Sequence, residues 1–194
     1  YNNGDEIPCV ANKKQWKNLS SGALANHHGE NFYNWYVISE KRNLSPRGWH
    51  IPSDNDIKEL ELYLGINQNE KDMMNKEIGG AANVGSKLAN DKELWNNEKL
   101  IENKDFGLSG FNALPFGSRG WEGDFEGIGK WMMFWTSTNM HLDELSGNSW
   151  DDPETPKEIV SNNARGRIIG TWSSGINRGT WDKRIGMSIR CLKD

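Results

Sequence analysis

The side chains best suited to metal or nucleophilic chemistry are few: four histidines, His27, His28, His50 and His141, and two cysteines, Cys9 and Cys191. His27 and His28 are adjacent, so in any regular element they point in different directions. The run "HHGE" lacks the His-x-x-x-His spacing that puts two imidazoles on one helical face. No cysteine pair has zinc spacing. Asp143, Glu144, Asp151, Asp152 and Glu154 offer oxygens that calcium could use, but not in the alternating order of a dedicated calcium loop. That stretch reads as a solvated acidic loop. No Gly-x-Ser-x-Gly turn presents a nucleophile, and no carboxylate pair stands out as acid and base. Gly127-Ile128-Gly129 is too short to cradle a phosphate. The expectation is a chain without catalytic residue, metal or cofactor.

The distinctive chemistry is aromatic. The chain holds ten Trp, six Phe and four Tyr, an aromatic content that argues for a packed core built on bulky rings. Trp49, Trp121, Trp131, Trp135, Trp150, Trp172 and Trp181 lie in or beside turns. Trp49 and Trp135 have apolar neighbours and read as core. Trp172 and Trp181 sit in "GTWSSGINRGTWDKR" (170–184) among Gly, Thr, Ser, Asp and Lys, where burial would take many polar groups with it. Half-exposed indoles beside Arg178 and Arg184 would make a surface of the kind enriched in binding hot spots.

The elements that must position these groups are unevenly marked. "SDNDIKELELYLG" predicts a helix, with Ser53 as N-cap, Asp54 and Asp56 in the first turn, Gly65 after the end, and Ile57, Leu60 and Leu64 on one stripe. A weaker helix is predicted over about 81–89. Strands are predicted at 7–10, 32–39, 106–121, 130–139, 164–172 and 185–192. Residues 1–31 form a lead-in that is irregular after its first strand, where Trp16 and Leu19 dock on the core, and 143–158 form an acidic loop. Two helices followed by β-structure imply an α+β fold in a single domain, 1–194.

The 194 residues are enough to bury roughly 70% of the unfolded chain's surface. A net charge of −4 gives no basic face for nucleic acid. No run of about 18 apolar residues is present to cross a bilayer. No signal peptide is visible and Tyr1 is not an initiator methionine, so a mature product or an excised piece is expected. Cys9 and Cys191 lie near opposite ends; bridged, they would add about 4–5 kcal/mol in the loop-entropy model, and unbridged they are two buried free thiols of a reducing compartment. The spacing does not choose between these.

Several blocks resemble a known family: "FYNWYVISEKRNLSPRGWHIPSDNDIKELELYLG", "GSKLA", "SGFNALPFGSRG", "FWTSTN" and "NRGTWDKRIGMSIRCLKD". In this order they are similar to the Fibrobacter succinogenes major paralogous domain, grouped with C-type-lectin-like folds. The resemblance implies two helices, small antiparallel sheets, long loops, and paired N- and C-terminal strands that would bring Cys9 toward Cys191. Known members are bacterial surface or secreted proteins, often lipoproteins, and some are phage-encoded. Relatives in the fold group are variable receptor-binding proteins of diversity-generating retroelements. Such variation is a minor alternative here, because two tryptophans are not what adenine mutagenesis of Asn codons yields.

Against the family's usual C-terminal pattern the chain keeps Ala164, Arg167, Ile169, Ile176, Asn177, Arg178, Gly186, Ser188, Arg190 and Cys191, which look like scaffold. It departs at Arg165, Gly166, Ile168, Gly170, Thr171, Trp172, Ser173, Thr180, Trp181, Asp182, Arg184 and Ile185, which look like a tolerant surface. The resemblance thus implies a ligand-binding set of Arg165, Ile168, Thr171, Trp172, Ser173, Thr180, Trp181, Asp182 and Arg184, with Arg119 and Trp121 as neighbours. The expected function is non-catalytic recognition or adhesion at a bacterial cell surface or on a phage tail, through segment 165–185, with a protein or glycan as partner. The alternatives are a structural tip or assembly module and, less favoured, a glycan-active enzyme. The Glu-Pro-Asn and Trp-Asn-Asp motifs of calcium-dependent lectins are absent, and only Cys9 and Cys191 could imitate the copper-ligating cysteines of formylglycine-generating enzymes.

Overall fold

The computed structural model describes residues 1–140 and 162–194. The acidic loop expected at 143–158 lies outside the described residues. The centre of the molecule is an antiparallel sheet of four strands in the order β4-β9-β8-β7. These are β4 (Lys76–Ile78), β7 (Trp131–Asn139), β8 (Asn163–Gly170) and β9 (Ile176–Asp182). Three two-stranded ribbons surround it. They pair β1 (Leu24–His27) with β2 (Glu30–Tyr33), β3 (Trp49–His50) with β10 (Leu192–Lys193), and β5 (Ser118–Arg119) with β6 (Phe125–Glu126). The architecture is α+β, with short helices and small antiparallel sheets.

The longest helix among the described residues is α3 (Asp54–Tyr63); the others are α1 (Lys13–Lys17), α2 (Tyr36–Ser39), α4 (Val84–Leu88) and α5 (Lys99–Glu102). Both predicted helices are present, and the expectation of only two is corrected by three shorter ones. Ser53 caps α3 reciprocally: its Oγ accepts from Asp56 N at 3.2 Å, while Asp56 Oδ2 accepts from Ser53 N at 2.7 Å. The stripe Ile57, Leu60 and Leu64 packs into the main core with Ile78, Val84, Leu88, Phe134, Ile169 and Ile176. Asp54 and Glu61 share this face and are buried with it.

The predicted strand at 32–39 is cut short after Tyr33. The buried Asn34 side chain accepts from Ala23 N at 3.0 Å and donates to Ser21 O at 2.9 Å, turning the chain into α2. Residues 106–121 contribute only β5, because Gly107, Gly110, Asn112 and Gly117 all take left-handed backbone conformations. Residues 185–192 pair by single bridges, Gly186 with Arg119, Met187 with Tyr33 and Ser188 with Phe134, before β10 begins. The expected pairing of the N- and C-terminal strands does not occur. Cys9 bridges to Leu24, while Leu192 lies opposite His50. Both cysteines are free thiols, Cys9 exposed and Cys191 half-buried.

Candidate binding surface

Side chains alternate across the central sheet. One face meets α3, and there the polar positions of β8 and β9 are held by charge. Arg167 Nε donates to Glu61 Oε1 at 2.7 Å and Arg167 Nη1 lies 2.8 Å from Asp54 Oδ1. Arg178 Nη2 pairs with the other Glu61 oxygen. Arg165 Nη1 reaches Asp54 Oδ2 at 2.5 Å. Burial opposes ionisation of Asp54, yet Arg167 and Arg165 outweigh it and hold its pKa down to about 2.

The opposite face carries Trp131, Met133 and Trp135 of β7, Gly166, Ile168 and Gly170 of β8, and Asn177, Gly179 and Trp181 of β9. Gly166 and Gly179 are direct partners, and the Trp181 ring lies over both. A Cβ on Gly166 would come within 3.3 Å of that ring, and one on Gly170 would run into the ring of Trp172. Trp172 stands edge-on to Trp131 with centroids 6.2 Å apart. The missing side chains let the indoles lie flat on the backbone. Trp172 is 42% exposed; Trp131, Ile168 and Trp181 are half-buried.

The sequence-derived set therefore divides. Ile168, Trp172 and Trp181 share the glycine-floored face. Asp182 and Arg184 form an ion pair at 2.5 Å on the following turn, and the Arg184 guanidinium stands 5.1 Å from the Trp121 ring centroid. Lys17 lies 4.8 Å from the same ring. Trp121, Asp182 and Arg184 are thus a second cluster, in which Arg184 is held above its ordinary pKa by its hydrogen bonds to Asp182.

Five members are corrected to structural roles. Arg119 is fully buried: its guanidinium donates to Val10 O, Ala11 O and Gly123 O and stacks on Trp16. Arg165 turns toward Asp54 on the α3 side. Thr171 is 1% exposed and Ser173 6%, because the turn they occupy tucks beneath α4, where Ser173 Oγ donates to Glu77 Oε1 and Ser86 N donates to Ser174 O. Thr180 is half-buried at a position that alternates with Trp181 and so belongs to the α3 side. Trp49, expected in the core, is 41% exposed, while Trp135 is sealed.

A family model described as the Fibrobacter succinogenes major domain matches residues 1–193. The chain belongs to this family. Neither the curated proteins nor the solved structures give a match.

In this Fibrobacter succinogenes major domain, the kept positions Arg167, Ile169, Ile176 and Arg178 are all buried on the α3 side of the sheet. Of the departures, Gly166, Ile168, Gly170, Trp172 and Trp181 lie on the other side together with the kept Ala164 and Asn177, while Arg165 and Thr180 lie on the α3 side. Sequence reasoning missed Trp131 and Asn177 as members of that face. Only the period-two geometry of a strand, which sets Trp131 beside Met133 and Trp135 and Asn177 beside Gly179 and Trp181, could have found them. It also missed a cleft of about 420 Å³ between the β1–β2 hairpin, residues 112–116 and residues 188–190. The cleft brings Glu30 to its wall as a single carboxylate, not as one of a pair. Among the described residues, no group of three or more His, Cys, Asp or Glu gathers to hold a metal ion, and no helix is long and apolar enough to cross a membrane.

Proposed function

We propose that this domain is a non-catalytic recognition module of C-type-lectin-like architecture, working outside a bacterial cell or on a phage particle, with a protein or glycan surface as its ligand. The observation that carries the proposal is the Trp172 indole, 42% exposed, laid over Gly170 and braced edge-on by Trp131. A ring fixed in this way offers contact area at little entropic cost. Asn177 lies on the same side of the sheet, with Ile168 and Trp181 half-buried there against a second core of Trp35, Met133 and Trp135. The strands beneath are pinned from the far side by buried ion pairs, so the platform is rigid before any ligand arrives. Such preorganisation lowers the cost of binding.

The test compares wild type with Trp172→Ala, Trp181→Ala and a control, Tyr63→Ala, whose side chain is 87% exposed on α3. Each is applied to a glycan array and to intact bacterial cells. The expected result is capture by wild type and the control, with affinity reduced by about tenfold or more in the tryptophan variants. Undiminished capture by variants that melt like wild type would remove the assignment. So would no capture by wild type on either surface.

A further inference from the structure

The cleft between the β1–β2 hairpin and residues 188–190 is polar and separate from the indole face. Its polar wall comprises Glu30, Asn31, Tyr33, Asn112, Ser188 and Arg190. Its volume of about 420 Å³ falls within the span of small-molecule sites, roughly 300–1,000 Å³.

Arg190 is the unusual group. A guanidinium carries five N–H donors, and among the described residues Arg190 uses them on one acceptor, Asn112 O, at 2.6 Å from Nη2. Its Nε is sealed from water with no partner, and one face of the guanidinium lies against Phe111. Arg167 and Arg178 also leave one buried nitrogen each without a partner, but the fully buried arginines meet more acceptors. Arg119 meets three carbonyls, Arg167 two carboxylates, and Arg178 a carboxylate and the carbonyls of Lys71 and Met73. Glu30 acts on Arg190 through space but forms no ion pair with it.

The neighbouring amides are also left as donors. Asn112 Oδ1 accepts from Asn90 Nδ2 at 2.9 Å, and Asn31 Oδ1 accepts from Asn26 Nδ2 at 3.0 Å, so each turns its NH2 elsewhere, that of Asn31 with one N–H toward the Tyr33 hydroxyl and one left over. The wall therefore combines an underused guanidinium, two amide donors, the hydroxyls of Tyr33 and Ser188, and one carboxylate that can accept. Phe116 and the Tyr33 ring supply flat apolar surface beside them. A planar oxyanion suits the Nη1–Nη2 end of the Arg190 guanidinium, its Nε being sealed from water, and hydroxyls suit the mixed donors and Glu30. The geometry points to a binding site for a sugar carboxylate, a hexuronate unit, with its carboxylate on Arg190 and its hydroxyls on Asn31, Asn112 and Glu30.

Calorimetric titration of the purified domain with glucuronate, galacturonate and glucose tests this. An oligogalacturonide is a further arm, separating a free sugar acid from a unit of a polymer. Expected are saturable binding of a hexuronate, at least about tenfold weaker binding of glucose, and a loss of about tenfold or more in Arg190→Gln. Arg190→Lys, which keeps the charge but not the fork, should fall between. Trp172→Ala should bind hexuronate like wild type, which separates this site from the proposed recognition face. Equal affinity for glucose and glucuronate, undiminished binding in Arg190→Gln, or no heat with any hexuronate at tens of millimolar overturns the inference. Should Arg190→Gln not fold, Asn31→Ala decides: wild-type affinity in that variant sinks the site.

Discussion

Arg167 Nε donates to Glu61 Oε1 across 2.7 Å, and neither side chain reaches water. Arg167 is flanked in β8 by Gly166 and Ile168, which face the other way. The charge pair that fixes α3 to the sheet therefore also fixes the strand carrying the indole platform. Glu61 serves two strands, since Arg178 of β9 uses its second oxygen.

Glu61→Ala should be among the most damaging single changes. It leaves Arg167 and Arg178 buried and facing each other, and removing one partner of a buried ion pair typically costs about 3–5 kcal/mol. Urea unfolding followed by far-UV circular dichroism reads the loss. A change below about 1 kcal/mol would mean that water reaches the two guanidiniums when the carboxylate is gone.

Asp54 sets an acid limit. Its folded pKa, about 2, lies below the ordinary 3.8. A depressed carboxylate contributes stability that is present above the unfolded pKa and lost as pH falls through the folded one. The window is therefore about pH 4 to 2, and the contribution at neutral pH is about 2 kcal/mol. Urea midpoints measured across that window should fall more steeply for wild type than for Asp54→Asn. Parallel profiles would show that Asp54 is not held below its ordinary value.

The sequence made α3 legible because its cap, dipole charges and apolar stripe agree. It hid Asp54 and Glu61 within the same stripe, since a carboxylate on a buried face becomes tolerable only when arginines arrive from β8 and β9, far along the chain. The same charges disguised β9. Arg178 takes an inward position that an apolar residue would normally mark, and Gly179 leaves an outward one blank, so alternation over 176–182 looks broken. Trp172 and Trp181 stood out by their polar neighbours. The two glycines that floor the platform did not, because only pairing of β8 with β9 sets Gly166 opposite Gly179. The Arg190 cleft left no local signature, being assembled from four separated stretches of chain.

Two glycine substitutions should separate packing from surface. Gly85 lies in α4, where alanine is normally favoured by about 1 kcal/mol. Here an added Cβ would collide with Gly175 O, a backbone atom that cannot step aside. Gly85→Ala should therefore destabilise by about 1–3 kcal/mol despite its helix preference. Gly170→Ala meets only the ring of Trp172, a half-exposed side chain whose displacement gives up its edge contact with Trp131 but no backbone contact. Its stability should stay within about 0.5 kcal/mol of wild type, with a red-shifted tryptophan emission as the displaced indole gains water. If the two variants lose stability equally, the Trp172 ring is locked more firmly than its exposure implies.

Cys9 and Cys191 offer a test of how the chain ends are held. Both are free, Cys9 exposed and Cys191 half-buried, and the terminal segments pair with Leu24 and His50 and not with each other. Thiol titration of the native protein, prepared without reductant, should count two reactive groups, with Cys9 modified first because thiol access governs the rate. Disulfide bonding would appear as no titratable thiol until reductant is added, together with a fall in stability of about 4–5 kcal/mol on reduction. That result would contradict the free thiols at both positions.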